Sequence, residues 1–153
     1  MLPPRTRRPE AEESYRLAST ILTRDPAAGG TTRILIVDQD RQSGTVLSFM
    51  LAARRFEEVR AVRSAGRAVA IMGRFLPTIV FLDLELPDDG AYVVARQLAC
   101  RERMRRPRLI GLTRSADSAP AAAAHAGDFE RWLVKPISQE ALDDIPGIRQ
   151  TNT

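Results

Sequence analysis

The chain has 153 residues, of which 44% are hydrophobic and 27% charged, so it has the length and composition of one globular domain rather than of a disordered chain. Its net charge of +4 comes from 22 arginines and one lysine against 19 acidic residues. Because the arginines form no dense basic stripe and aromatic residues are only 5%, we expect no nucleic-acid partner. No apolar run reaches the ~18 residues of a membrane span. The single cysteine, Cys100, excludes an internal disulfide, which fits a cytoplasmic location.

Residues 1–32 form an N-terminal extension in this interpretation. A helix is predicted over residues 10–24, since Pro9 and three glutamates favour its first turn, and residues 25–32 are predicted to be a linker. The predicted helix is only weakly amphipathic. It is therefore either part of a partly ordered tail or a helix that docks on a partner or on a second copy of the chain.

From Arg33 onward, predicted strands and helices alternate. Short apolar runs predict strands at residues 34–37, 59–62, 78–82, 109–112 and 132–134. Helical spacing predicts helices at 41–54, 66–75, 92–101 and 118–126, followed by a short helix that Ser138 caps and Pro146-Gly147 stops. Five such β-α units predict an α/β domain over residues 33–147, with a doubly wound five-stranded parallel sheet and a tail at 148–153.

Polar residues follow the strands at the points where each strand ends. Asp38, Asp83 and Thr113 end or follow the first, third and fourth predicted strands, and Lys135, the single lysine, follows the fifth. In a doubly wound sheet the carboxyl ends of the strands form the ligand-binding edge. Lysine is a compact point charge, unlike the planar arginine that this chain otherwise uses, so its presence here indicates a specific role.

This combination suits a carboxylate that receives a phosphoryl group. Mg²⁺ prefers carboxylate and carbonyl oxygens, and an aspartate can attack phosphorus to form an acyl phosphate. The negative charge on the transferred group then needs fixed donors opposite the metal, a role for which Thr113 and Lys135 are suited.

The same segments resemble the receiver domain of two-component response regulators. The resemblance lies in residues 34–38, 79–90, 109–113, 126–129 and 132–136, which include Pro87 four residues after Asp83 and a closing Gly90. The interval is 45 residues from Asp38 to Asp83, 30 residues from Asp83 to Thr113 and 22 residues from Thr113 to Lys135, as in that family. The resemblance covers about residues 33–146 and implies a flavodoxin-like sheet with strand order 2-1-3-4-5.

The resemblance also implies roles for the site residues. Asp83 would accept a phosphoryl group from a phosphohistidine of a sensor histidine kinase or a histidine phosphotransfer protein. Asp38, Asp83 and the carbonyl of Glu85 would hold Mg²⁺, while Thr113 and Lys135 would contact the phosphoryl group. A receiver is no enzyme beyond its own phosphorylation and slow autodephosphorylation. Trp132 occupies the place of the aromatic switch residue; the other interpretation is a surface aromatic that covers the last helix.

Three residues near these positions depart from the family pattern or modulate it. Gln39 stands where a second acidic residue is usual, and its amide can ligate Mg²⁺ but brings no charge. Asp40, one residue later, either caps the next helix or compensates for the missing acidic residue. Arg114 replaces a small residue and could stabilise the phosphoryl group, pair with Glu85 or obstruct the donor. The Glu85 side chain lies where hydrolysis rates are influenced.

The leading hypothesis is a stand-alone receiver that signals through an unknown downstream protein or passes the phosphoryl group on, with homodimerisation left open. A second hypothesis is a pseudo-receiver adaptor, poorly phosphorylated because of Gln39 and Arg114. A third is a phosphatase of the Asp-x-Asp type, in which Asp38 would be the nucleophile and Asp40 the acid/base.

Overall fold

The computed structural model describes residues 31–101, 105–117 and 129–149. Its strands are β1 (Arg33–Val37), β2 (Glu58–Val62), β3 (Ile79–Asp83), β4 (Arg108–Thr113) and β5 (Phe129–Val134). Its helices are α1 (Arg41–Ala53), α2 (Ala65–Phe75), α3 (Gly90–Ala99) and α4 (Gln139–Asp143). The predicted helices at 10–24 and 118–126 lie outside the described residues, as does the predicted linker apart from residues 31 and 32.

The five strands form one parallel sheet in the order β2-β1-β3-β4-β5, which confirms the predicted fold class. In the register, Val37 pairs with Leu82, Asp83 with Leu112 and Thr113 with Val134. The carboxyl ends of β1, β3, β4 and β5 therefore reach one edge of the sheet together, where the site residues lie.

Apolar residues alternate between the two faces of the sheet and build a core on each. One core joins the sheet to α1 and α4 through residues that include Ile36, Phe81 and Leu47. The other joins it to α2 and α3 through residues that include Leu82 and Val94. Because β3 is buried along its whole length, its continuous apolar run is explained by cover on both faces.

Local capping explains where the helices begin. Asp40 caps α1, since its side chain accepts a hydrogen bond from the amide of Gln42, as one of the two sequence interpretations expected. Ser64 and Ser138 cap α2 and α4 in the same way. None of the helices among the described residues is both long and apolar enough to span a membrane.

Most element boundaries differ from the predicted ones by one to three residues, and α3, β5 and α4 are examples. α3 begins at Gly90, two residues early, because this glycine fits closely: an added Cβ would lie 2.9 Å from the Cβ of Leu86. β5 begins at Phe129, because a register shift between Leu109 and Ile110 lets the polar stretch before Trp132 pair with β4. α4 ends at Asp143, before the predicted stop at Pro146.

A buried arginine joins the last helix to the first. The Arg54 side chain is fully buried; its guanidinium donates to the Asp143 carboxylate at 2.9 Å and to the Gln139 side chain at 2.8 Å. It also donates to the carbonyl of Met50 at 3.0 Å. Since α4 follows Lys135 closely in the chain, this ion pair holds the segment that carries the lysine.

We expect Arg54→Met to lower the free energy of unfolding by about 1–3 kcal/mol, because it removes the guanidinium that donates to Asp143, Gln139 and the carbonyl of Met50. The exposed neighbour Arg55→Met is the matched control and should change stability by less than about 0.5 kcal/mol. Urea unfolding measures both. Equal effects of the two substitutions would contradict the role given to Arg54.

Candidate phosphoacceptor site

The fold brings together four residues that lie far apart in the sequence. Asp38 follows β1, Asp83 ends β3, Thr113 ends β4 and Lys135 follows β5. Asp38, Asp83 and Thr113 are 3%, 1% and 0% exposed, respectively. Buried polar side chains at the ligand-binding edge of a parallel sheet indicate a site rather than a solvated rim.

The Lys135 ammonium lies between the two carboxylates. Its Nζ is 3.0 Å from Oδ1 of Asp38 and 3.8 Å from Oδ2 of Asp83, and its side chain is 9% exposed. Two buried carboxylates repel each other, so this cation offsets charge that the protein interior would otherwise leave uncompensated.

Backbone amides hold the Asp83 carboxylate in place. The amide of Glu85 donates to Oδ1 at 2.9 Å, and the amide of Gln39 donates to Oδ2 at 3.3 Å. Burial is the largest influence on the pKa of Asp83 and raises it; the charge of Asp38 also raises it, while the Glu85 amide and Lys135 oppose the shift. The net result is a raised pKa, so in the folded protein the carboxyl is a stronger base than an ordinary aspartate.

The Gln39 side chain is a donor in this structure. Its Nε2 donates to the backbone carbonyl of Glu85 at 3.0 Å, the carbonyl assigned to Mg²⁺ by the resemblance. Because a carbonyl only accepts, the amide group presents its NH₂ end here rather than the oxygen that would ligate a cation. Gln39 would have to reverse this amide group before its own oxygen could ligate a metal at the Glu85 carbonyl.

The Glu85 carboxylate lies on the other side of the site. Its Oε2 accepts hydrogen bonds from the Thr113 hydroxyl and from the amide of Arg114, both at 3.1 Å. The Arg114 guanidinium, with a side chain 65% exposed, is 3.9 Å from Oε1. Of the three roles considered for Arg114, this geometry matches pairing with Glu85.

Two residues that the sequence did not single out also shape the site. Ser115 accepts from the Thr113 hydroxyl through its carbonyl at 3.0 Å and donates its amide to that hydroxyl at 3.2 Å. Gly111 leaves room for Trp132, since an added Cβ would lie 3.2 Å from the Trp132 Cβ. Trp132, 37% exposed, thus lies beside the strand that carries Thr113. The Thr113–Ser115 contact is a local turn, of a kind that Ser and Thr favour, whereas the register of β4 with β5 decides the contact between Gly111 and Trp132.

The oxygen donors present fit a hard divalent cation. Asp38 and Asp83 offer carboxylates and Glu85 offers a carbonyl, while Lys135 holds the carboxylates near each other. In the described part of the chain no three His, Cys, Asp or Glu side chains gather into a metal cluster. A cation here would accordingly keep several of its waters, which is the usual behaviour of Mg²⁺.

We expect Asp83→Asn to raise the free energy of unfolding at neutral pH in the absence of divalent cations. Folding raises the pKa of Asp83, so the ionised carboxylate costs stability above that pKa, and this cost fades as the pH falls toward the ordinary value of 3.8. The difference in free energy of unfolding between variant and wild type should therefore narrow as the pH is lowered. Thermal unfolding at several pH values measures it. Asp88→Asn, at an exposed acid of the following loop, should keep the wild-type pH dependence. An Asp83→Asn advantage that grows on acidification would refute the argument.

Comparisons with known proteins follow the same segments. The sequence family described as the response regulator receiver domain matches residues 34–145. The polar-differentiation response regulator DivK of Brucella ovis is 24% identical over 108 residues, which is 71% of this chain and 87% of DivK. A protein of Methanothrix harundinacea named "Probable methanogenesis regulatory protein FilR2" is 36% identical over 70 residues. That match covers 46% of this chain and only 45% of FilR2.

A solved structure shares the fold at similar coverage. It is the receiver domain of a sensor histidine kinase from Pseudomonas aeruginosa, described as having a magnesium ion coordinated in the active site cleft. It is 25% identical, has a TM-score of 0.62, and the match covers 71% of this chain and 88% of that one. With the family match, the parallel sheet and the strand-end cluster in agreement, the chain belongs to the response regulator receiver domain family.

Proposed function

We propose that this chain is a phosphorylation switch in which Asp83 accepts a phosphoryl group from a phosphohistidine, with Mg²⁺, and signals by protein contact or by phosphorelay. The observation that carries the proposal is the Asp83 carboxylate itself. It is 1% exposed, held by two backbone amides, and lies 3.8 Å from the ammonium of Lys135. This is a nucleophile oriented beside a fixed cation.

The chemistry needs few groups. An oxygen of Asp83 attacks phosphorus, the phosphorus–nitrogen bond to the donor histidine breaks, and the histidine leaves with the bonding electrons and takes up a proton. Asp83 must be ionised to attack, and Lys135 and the Glu85 amide favour its charged form. Lys135 remains able to contact the oxygens of the transferred group because its ammonium already faces Asp83.

The metal site is assigned to Asp38, Asp83 and the carbonyl of Glu85. Bound Mg²⁺ supplies positive charge that offsets the charge of the transferred group. The magnesium in the related kinase receiver supports the assignment. Gln39 is the residue that would either rotate to ligate the metal through its oxygen or give up its bond to the Glu85 carbonyl.

The partner surface is assigned to α1, which starts beside the site at its cap Asp40. Phe49 and Val46 on this helix are 69% and 49% exposed, an unusual exposure for large apolar side chains. A histidine kinase or phosphotransfer protein that places its histidine at Asp83 would also cover this helix. Receiver domains interact with such donors as a family.

One observation favours the second function, a pseudo-receiver adaptor. The Gln39 amide donates to the Glu85 carbonyl and carries no charge, so we expect the site to bind Mg²⁺ less favourably than one with a carboxylate at that position. The phosphatase alternative is disfavoured, because Asp40 caps α1 and the family is a signalling domain.

We expect wild-type protein incubated with phosphoramidate and Mg²⁺ to gain the mass of one phosphoryl group. Asp83→Asn should gain none, whereas Asp88→Asn, with an exposed acid five residues away, should behave as wild type. Intact-mass spectrometry measures all three. No gain in wild type at saturating Mg²⁺ would favour the adaptor, and a gain in Asp83→Asn would place the acceptor elsewhere.

We expect Gln39→Asp to bind Mg²⁺ about tenfold more tightly than wild type, since it adds a carboxylate oxygen and removes the donor that occupies the Glu85 carbonyl. Gln42→Asp adds the same charge three residues later, in the first turn of α1, and should leave the Mg²⁺ affinity within about twofold of wild type. Calorimetric titration of Mg²⁺ compares the three proteins. Equal gains from both substitutions would mean that long-range charge, not ligation, decides the affinity.

A further inference from the structure

The Glu85 carboxylate accepts hydrogen bonds from two donors at the carboxyl end of β4, the strand that pairs with β3. One of its oxygens, Oε2, accepts from both the Thr113 hydroxyl and the Arg114 amide at 3.1 Å. These two donors belong to adjacent residues at the end of β4, the strand next to Asp83 in the sheet. A carboxylate that accepts two hydrogen bonds from one backbone corner behaves as a bound anion.

The Thr113 hydroxyl has an alternative acceptor. Its oxygen is 3.1 Å from Oε2 of Glu85 and 3.0 Å from the carbonyl of Ser115, and a hydroxyl has one proton to donate. A hydrogen bond to an ionised acceptor is stronger than one to a neutral carbonyl, so Glu85 holds the proton on its own side. Thr113 is 0% exposed, so bulk solvent does not reach this hydroxyl.

We propose that Glu85 is an internal competitor of the phosphoryl group: its carboxylate occupies the Thr113 hydroxyl and the Arg114 amide, and an anion on Asp83 must displace it. The inference rests on the proposed function, because it assigns regulation to the same site. Glu85 acts through Thr113 and Arg114 and is therefore a positioning residue. Its side chain is 32% exposed, so it has room to swing into solvent when displaced.

The competition has a direct consequence for the affinity of the site for an anion on Asp83. Removing the charge of Glu85 weakens its hold on both donors, and it releases the Arg114 guanidinium that lies 3.9 Å from Oε1. All three groups then become more available to an anion on Asp83. Glu85→Gln keeps the size of the side chain and the backbone carbonyl, while it removes the charge and replaces one acceptor oxygen by an NH₂ donor.

The experiment measures binding of beryllofluoride, a phosphoryl mimic, by ¹⁹F NMR at saturating Mg²⁺. We expect Glu85→Gln to bind it about tenfold more tightly than wild type, the size of effect given by one charge-assisted hydrogen bond. Glu58→Gln is the matched control, since Glu58 begins β2 at the opposite edge of the sheet, and should match wild type. Without any anion, the Arg114 amide resonance should move upfield in Glu85→Gln and stay in place in Glu58→Gln.

A double-mutant cycle separates this role from a general effect on the fold. In a Thr113→Val background the gain from Glu85→Gln should shrink, because one of the two contested donors is gone. Equal or weaker binding by Glu85→Gln, with wild type binding normally, would overturn the inference and leave the proposed function standing. Tight binding by Glu85→Gln where wild type binds poorly would support it. If neither protein bound beryllofluoride, both the inference and the proposed function would be overturned, since Glu85 would then not be what prevents anion binding.

Discussion

The site depends on one buried cation. Lys135 lies 3.0 Å from Asp38 and 3.8 Å from Asp83, two carboxylates that are almost completely buried. Without a nearby cation, the charge of these two buried carboxylates would be left uncompensated in the interior. The position of Lys135 is set in turn by β5, which pairs with β4, and by α4, which Arg54 holds against α1. The packing of the fold thus positions the one side chain, Lys135, that offsets the charge of the site.

Around this cation, the chain satisfies its own site with internal groups. The Gln39 amide takes the carbonyl of Glu85, and the Glu85 carboxylate takes the hydroxyl of Thr113 and the amide of Arg114. Each of these contacts uses an atom that the proposed function assigns to a metal or to a phosphoryl group. Because buried polar atoms must have partners, such substitutes stabilise the unliganded site.

The strands of the central sheet could be predicted well because their signals are local. Residues 34–37 and 78–82 are continuous apolar runs, and such runs indicate strands buried on both faces. Boundaries were less accurate where a long-range contact decides them. Gly90 starts α3 because Leu86 and Ala65 leave no room for a Cβ, and β5 extends back to Phe129 because β4 pairs with it through an irregular register. Neither contact is visible in the local pattern.

The sequence by itself determined the candidate site: position at strand ends indicated Asp38, Asp83, Thr113 and Lys135. The tertiary structure decided how their neighbours are used. Gln39 lies 46 residues from the carbonyl that its amide bonds, and Glu85 lies 28 residues from Thr113. An amide can donate or accept, and a glutamate can face solvent or a hydroxyl. Only the register of adjacent strands selects between these options, because it fixes which atoms come within hydrogen-bonding distance.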